Sequence, residues 1–228
     1  MSTAINGDLG ARAFADTAQM DWTPSPSGTV WRKRVHLVGP PESGQVTSIV
    51  RYEPHSTFPG HDHPDGEEIL VLDGVFSDDQ GDWPSGTYLL NPEGFRHAPR
   101  STPGCTLFVK LRQYPGRKRL RLAIATSDLE WQPSELDGVV QKLLYKQGGF
   151  SDSTRLERWA AGTRSLVAFP EGAEMLVLAG ELEIDSRDYP RGCWARFPAR
   201  DECRMGSGAG CTLYVKRGGL AYLRSGGA

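Results

Sequence analysis

The sequence predicts an all-β chain made of two tandem copies of one sandwich or barrel fold. Three observations carry this. Short apolar runs rich in Val, Leu, Ile, Thr and aromatics recur between clusters of Gly, Pro, Asp and Asn, the pattern of many short strands. Helical periodicity is weak throughout. The second half of the chain repeats the first. The 228 residues suffice for two domains of about 100 residues each.

Taken in order, residues 1–20 are too few for a domain and read as an N-terminal arm or added strand. Residues 21–118 form the first copy, with apolar runs at 46–52, 69–72, 86–90 and 105–111. Segments 39–44 (Gly-Pro-Pro-Glu-Ser-Gly) and 77–82 (Ser-Asp-Asp-Gln-Gly-Asp) read as turns between strands. The basic run 117–121 reads as a solvated link. Residues 119–228 form the second copy. Its alternating segment 120–126 is expected to serve that copy as 1–20 serves the first. At most a turn or short helix is expected near 154–159, and apolar runs follow at 165–169, 175–178 and 211–215. Segment 206–210 (Gly-Ser-Gly-Ala-Gly) aligns with the loop 100–104, lacks a P-loop lysine and reads as a plain turn.

The repeat is direct. Pro103-Gly-Cys-Thr-Leu-Phe-Val-Lys110 returns as Ala209-Gly-Cys-Thr-Leu-Tyr-Val-Lys216, an offset of 106 residues. Leu70-Val-Leu-Asp-Gly74 becomes Leu176-Val-Leu-Ala-Gly180 at the same offset, and Pro92 becomes Pro198. Upstream, Asp21-Trp-Thr-Pro-Ser25 matches Glu130-Trp-Gln-Pro-Ser134 at an offset of 109, so the second copy has lost a few residues between the blocks.

One cluster stands out against this framework: His61-Asp62-His63-Pro64-Asp65-Gly66-Glu67, followed by His97. Three of the chain's five histidines fall in it. Imidazoles with a carboxylate suit zinc, iron, manganese, nickel or copper. On a strand His61 and His63 face the same way, and Glu67 keeps that parity if the strand runs on. At offset 106 the four positions become Val167, Phe169, Ala173 and Cys203, and residues 130–228 hold no histidine. The fold therefore does not need the His/Glu set, which points to binding. Four titratable groups converging without an ion would be costly to bury.

Other polar residues have plainer readings. Glu68 has opposite parity to Glu67, and its counterpart Glu174 survives without histidines, so a surface or structural role is expected. His36 and His55 have no motif support. Arg51, Tyr52 and Arg112 lie in or beside strands, where they would orient a substrate or serve as ordinary sheet residues. Cys105, Cys193, Cys203 and Cys211 form no close pair and are expected as free thiols. A formal charge of −2 gives no general attraction to nucleic acid or to an anionic membrane. With neither a signal pattern nor a membrane-length apolar run, a cytoplasmic location is expected.

These residues resemble the cupin superfamily of small jelly-roll β-barrels. The first cupin motif is seen as His61-x-His63-x-x-x-Glu67 with six residues to Gly74, the second as Gly86, five residues, Pro92-x-Gly94-x-x-His97. The glycine that usually opens the first motif is displaced to Gly60, and Ser101 stands for the asparagine that often follows the second. The chain is thus similar to a bicupin, two tandem jelly-roll barrels. Segments 67–74 and 81–88 resemble the ChrR-type group, named for the zinc-binding C-terminal half of an anti-sigma factor. The resemblance implies one divalent metal ion per chain, iron or zinc foremost, with manganese, nickel or copper as alternatives. Its ligands would be His61, His63, Glu67 and His97, with Glu67 also the candidate catalytic base. Two functions follow: a metal-dependent oxidoreductase of the dioxygenase type acting on a small organic molecule, or a zinc-binding sensor or interaction module without catalysis. A sigma-factor partner is not expected, since the helical N-terminal zinc domain with its His-x-x-x-Cys-x-x-Cys motif is missing. Sheet edges would allow a homodimer.

Overall fold

The computed structural model describes residues 4–224. Two compact units emerge. One is built on Met20–Asp128, joined by residues 4–7 and Arg224; the other comprises Leu129–Leu223 and Asp8–Gln19. Both are β throughout, with two short 3-10 turns as the helical content among the described residues. These are two copies of one β fold, as the repeat predicts.

In the first unit one antiparallel sheet runs Leu122–Ala125, Thr87–Asn91, Glu67–Asp78, Cys105–Leu111, Gln45–Tyr52, Val30–Val38, Thr23–Pro24. Opposing it are the short strands Ser56–Thr57, Gly81–Pro84 and Arg100–Ser101, and the pair His61–His63 with Phe95–His97. Side chains alternating inward from both layers make the core, among them Val30, Val50, Ile69, Val71, Phe76 and Leu107. The second unit repeats the order: Ala13–Asp16, Cys193–Phe197, Ala173–Ile184, Cys211–Arg217, Ser153–Trp159, Val139–Lys146, Gln132–Pro133.

The arms are exchanged. Leu122–Ala125, expected to serve the second copy, pairs with Thr87–Asn91 of the first. Ala13–Asp16 pairs with Cys193–Phe197 of the second. Thr126 Oγ1 donates to Gly86 O at 2.7 Å and Thr17 Oγ1 to Gly192 O at 2.8 Å, the same lock in each unit. Arg12 fixes its arm through Nε and Nη2 to the Asp201 carboxylate at 2.6 and 2.8 Å. Alternation marked 120–126 as a strand and residues 1–20 read as an arm or added strand, but which edge a strand joins is a non-local choice.

Two local expectations are corrected. Residues 154–159 are not a turn or helix but belong to strand Ser153–Trp159, laddered on one side to Val139–Lys146 and on the other to Cys211–Arg217. Pairing on both edges overrides weak local preference. The basic run is only partly solvated: Arg119 is buried, its guanidinium 5.0 Å from the Tyr114 ring centre, and Arg121 lies over Phe95.

Glu67–Asp78 belongs to both layers. Its first half pairs with Thr87–Asn91 and Cys105–Leu111, its second with Gly81–Pro84. Between them the register slips opposite Thr106 and Leu107, and Gly74 takes φ +73°. A Cβ on Gly74 would lie 2.1 Å from Gly104 O. Gly180 repeats the bend at φ +71°, 2.2 Å from Gly210 O. No described helix is long and apolar enough to cross a membrane.

Gly74→Ala is expected to destabilise the first unit by about 2–4 kcal/mol, combining left-handed strain with a backbone clash. Gly94→Ala, at φ +85° with nothing near its Cβ, should cost about 1 kcal/mol. Urea unfolding of both variants checks this; equal losses would mean that close approach is not the constraint at Gly74.

Candidate metal centre

His61 and His63 flank exposed Asp62 on one short strand, and the antiparallel register sets His97 directly opposite His61. The three rings cluster with centroids 4.7 Å apart for His61–His63, 4.9 Å for His63–His97 and 5.4 Å for His61–His97. His63 and His97 are buried, His61 half-buried. Glu67 reaches the cluster by a different route from the one the spacing suggests. The strand does not run on: it stops at His63, and the Gly66 N–H closes a turn on His63 O at 3.2 Å. Gly66 has φ +71°, and a Cβ there would meet Tyr114 Cβ at 2.7 Å and Asn91 O at 2.9 Å. Glu67 then opens the long strand, so three strands rather than two aim the groups inward. Its Oε2 lies 3.6 Å from His63 Nε2 and 3.6 Å from His97 Nε2, which are themselves 3.0 Å apart.

Hydrogen bonds on the far side of two rings set their tautomers. His61 Nδ1 sits 2.8 Å from Pro59 O, which can only accept, so Nδ1 carries the proton and Nε2 offers its lone pair. His97 Nδ1 sits 3.1 Å from Asp78 Oδ2 and is held the same way. Asp78 is itself fixed through Oδ1, which accepts from Gln80 N–H at 2.9 Å and Trp83 Nε1 at 3.1 Å. Asn91 Nδ2 donates to Glu67 Oε2 at 3.0 Å.

The electrostatics follow. Burial pushes His63 toward its neutral form, against the pull of Glu67. Burial also opposes charge on His97, but the Asp78 hydrogen bond and the Glu67 carboxylate outweigh it and raise its pKa. Burial of Asp78 is likewise outweighed, by its bonds from His97, Gln80 and Trp83, and its carboxyl falls below the ordinary range.

The residues fit a metal ion. Donors about 2.0–2.2 Å from one ion stand roughly 3 Å apart at right angles and about 3.5 Å apart in a tetrahedron, and the 3.0 and 3.6 Å separations match. At 3.0 Å the His63 and His97 Nε2 atoms can share a proton without an ion, or both turn lone pairs to one. His61, His63 and His97 have nitrogens all within 4.8 Å of one another and could hold such an ion.

Asp78 and Asn91 escaped the sequence reading. Asp78 lay in a segment read as a turn, and Asn91 just past the apolar run 86–90. The repeat held the signal: their counterparts by register are Ile184 and Phe197, polar to apolar as at the histidines. The register also supports the assigned ligand correspondences, since His61 faces His97 as Val167 faces Cys203.

Elsewhere, Glu68 points the opposite way, buried, and accepts from Tyr88 OH at 2.6 Å and from Tyr114 OH. Its role is structural rather than superficial. His36 is buried with Nδ1 3.1 Å from Asn6 O, and His55 is exposed. All four cysteines are free and buried. Burial pushes the Cys203 thiol up to about 12, which leaves it unreactive. Tyr52 is buried and, with Arg32, Phe58, Ile69 and Phe76, lines a cavity of about 70 Å³ beside the cluster. Arg51 stacks on Trp22 at 4.5 Å instead, and the Arg112 carbonyl accepts from Gln45 Nε2.

The ChrR cupin-like domain model matches the sequence twice, over residues 10–115 and 120–221. The chain belongs to the ChrR cupin-like family. No curated protein matches it. Among solved structures, a candidate dioxygenase from Nostoc punctiforme PCC 73102 is similar at TM-score 0.74 and 16% identity, over 90% of this chain and 82% of that one. YlbA from E. coli gives 0.71 and 16%, over 92% of each chain. Oxalate decarboxylase OxdC from Bacillus subtilis gives 0.65 and 12%, over 93% and 79%. These likenesses establish the cupin fold.

For a metal held on this ChrR cupin-like cluster, Asp78→Asn is expected to weaken affinity about 10–100-fold by loosening His97. Competition with a chromophoric chelator reads this, with thermal melting to show an intact fold. Unchanged affinity would mean that Asp78 does not orient the ring.

Proposed function

We propose that the first cupin domain holds one divalent transition-metal ion through His61, His63, Glu67 and His97 and acts as a dioxygenase-type oxidoreductase on a small organic molecule. One observation carries the reading: imidazoles with fixed tautomers and a carboxylate turn their free donor atoms to one point beside a small, mainly apolar cavity. Bound there, iron, manganese, nickel or copper would supply Lewis acidity and electron exchange with O₂, whereas zinc would supply Lewis acidity alone.

The chain's own groups have defined parts in this reading. Asp78 holds the His97 ring in place. Burial, then the nearby Glu67 charge, push the Tyr52 phenol above its ordinary range, so it stays protonated and can donate to a substrate oxygen. Glu67 can take the proton of an acidic substrate such as an enol or diketone. Phe58, Phe76, Ile69 and Leu107 exclude water. A cavity of about 70 Å³ admits only a few heavy atoms. The fold shared with a candidate dioxygenase and with oxalate decarboxylase supports this class of chemistry. Membership of the ChrR cupin-like family favours the second reading, a zinc-holding sensor without turnover.

Metal analysis of protein purified anaerobically without a tag, beside His61→Ala and His97→Ala, separates them. About one iron, manganese, nickel or copper per chain, lost in both variants, with O₂ uptake on a panel of small enols and diketones, is the expected result. Stoichiometric zinc that resists chelation, with no O₂ uptake, would establish the sensor. A wild-type protein that takes up no metal on reconstitution would overturn both.

A further inference from the structure

The second domain has lost the metal donors, yet the mouth of its barrel is polar. Strand register sets Arg217 where the first domain has Leu111, Glu157 where it has Val50, and Gln141 where it has Arg32. All three first-domain residues line the small cavity beside the histidines. Their replacements line a cavity of about 330 Å³, joined by Arg155.

Two guanidinium groups, Arg155 and Arg217, and two carboxylates, Glu135 and Glu157, line this mouth, but they are not paired one to one. Buried Glu157 is already engaged: Oε1 is 2.9 Å from Arg155 Nε, and Oε2 accepts from Trp159 Nε1 at 3.2 Å. Arg155 also donates from Nη1 to Gln141 Oε1 at 3.2 Å. Among the described residues no carboxylate stands at ion-pair distance from Arg217, and Glu157 and Glu135 act on it only at longer range. Arg217 Nη1 donates to Ala168 O at 3.1 Å, its guanidinium lies 5.6 Å from the Phe169 ring centre, and its buried Nε–H makes no hydrogen bond among the described residues. Burial, then the neighbouring Arg155, work against its charge and outweigh the favourable carboxylates of Glu157 and Glu135. Holding a guanidinium this way is costly unless an anion arrives. The other wall is apolar: Leu136, Val167, Pro170 and Leu166, the last 60% exposed.

We propose that this mouth binds a small organic carboxylate with a short apolar body, the carboxylate on Arg217 and the body against Leu136, Leu166 and Pro170. A guanidinium takes a planar carboxylate in two parallel hydrogen bonds. The volume lies at the lower end of small-molecule sites. The site uses no metal and shares no residue with the histidine cluster, so it stands independently of the oxidoreductase reading.

Calorimetric titration of the full-length, metal-replete protein with hexanoate, acetate and inorganic phosphate tests it. Hexanoate should bind more tightly than acetate or phosphate. Its affinity should fall about tenfold or more in Arg217→Leu, a substitution that installs the residue the first domain carries. Leu166→Asp, at an exposed position that leaves the barrel wall intact, should weaken it as well. His61→Ala should leave it unchanged, since a carboxylate held by the metal would be lost there. Overturning results would be no hexanoate binding, binding indifferent to Arg217→Leu and Leu166→Asp, loss in His61→Ala, or phosphate binding as tightly as hexanoate.

Discussion

The two carboxylates that face the nitrogens of the His97 ring come from opposite ends of one strand, and they meet there only because that strand is bent at Gly74. Straight, the twelve residues of Glu67–Asp78 would separate their ends by about 36 Å. Instead Glu67 Oε2 stands 3.6 Å from one nitrogen of the His97 ring and Asp78 Oδ2 3.1 Å from the other. The strand leaves one layer, turns where its backbone comes so near Gly104 that no side chain fits, and returns in the other layer. The geometry of the site is therefore set by backbone contact before any donor is considered. A metal ion would find its ligands already arranged, with much of the ordering entropy met by the fold.

The second domain shows that the bend is a property of the fold and not of the site. Gly180 lies against Gly210 as Gly74 lies against Gly104, but the strand ends are Ala173 and Ile184. Where His63 and Asn91 stand in the first barrel, Phe169 and Phe197 stack with centroids 4.3 Å apart and planes 19° apart. Duplication thus separates two uses of one interior. One barrel is filled by apolar contacts that stabilise it outright; the other keeps polar groups whose burial must be offset by hydrogen bonds or an ion.

What the sequence disclosed follows the same division. The cluster of His61, His63, Glu67 and His97 was legible because its residue types and spacing are unusual, and the repeat supplied a built-in control that separated these positions from the framework. Strand positions with apolar alternation were legible for a similar reason. Long-range pairing was not. Nothing local in 120–126 says that it joins the first copy, and nothing in 154–159 says that ladders on both sides will hold it extended. Glu67 was placed on the correct face through an assumed unbroken strand. The chain reaches the same end with a turn at Gly66 and a change of strand. Asp78 was hidden because 77–82 is rich in turn residues, although a tight hairpin packs the first of them into a strand. Applied to every position rather than to histidines alone, the offset of 106 would have exposed both Asp78 and Asn91.

The comparison also bears on how the two readings of the metal differ physically. A site that only held zinc as a structural staple would need ligands and no adjacent space. Here the side of the cluster formed by Tyr52, Phe58, Ile69 and Phe76 is left as a cavity; in the twin Trp159, Met175 and Leu182 take the positions of Tyr52, Ile69 and Phe76 in the core, and the cavity there is lined by polar residues nearer the mouth. Interiors close-pack by default, so a persistent gap beside aligned donors costs dispersion energy that tighter side chains would have recovered. That cost makes sense where a molecule enters the gap, whether to react or to be sensed. It weighs against a purely structural ion and makes the small-molecule ligand the common element of both functional readings.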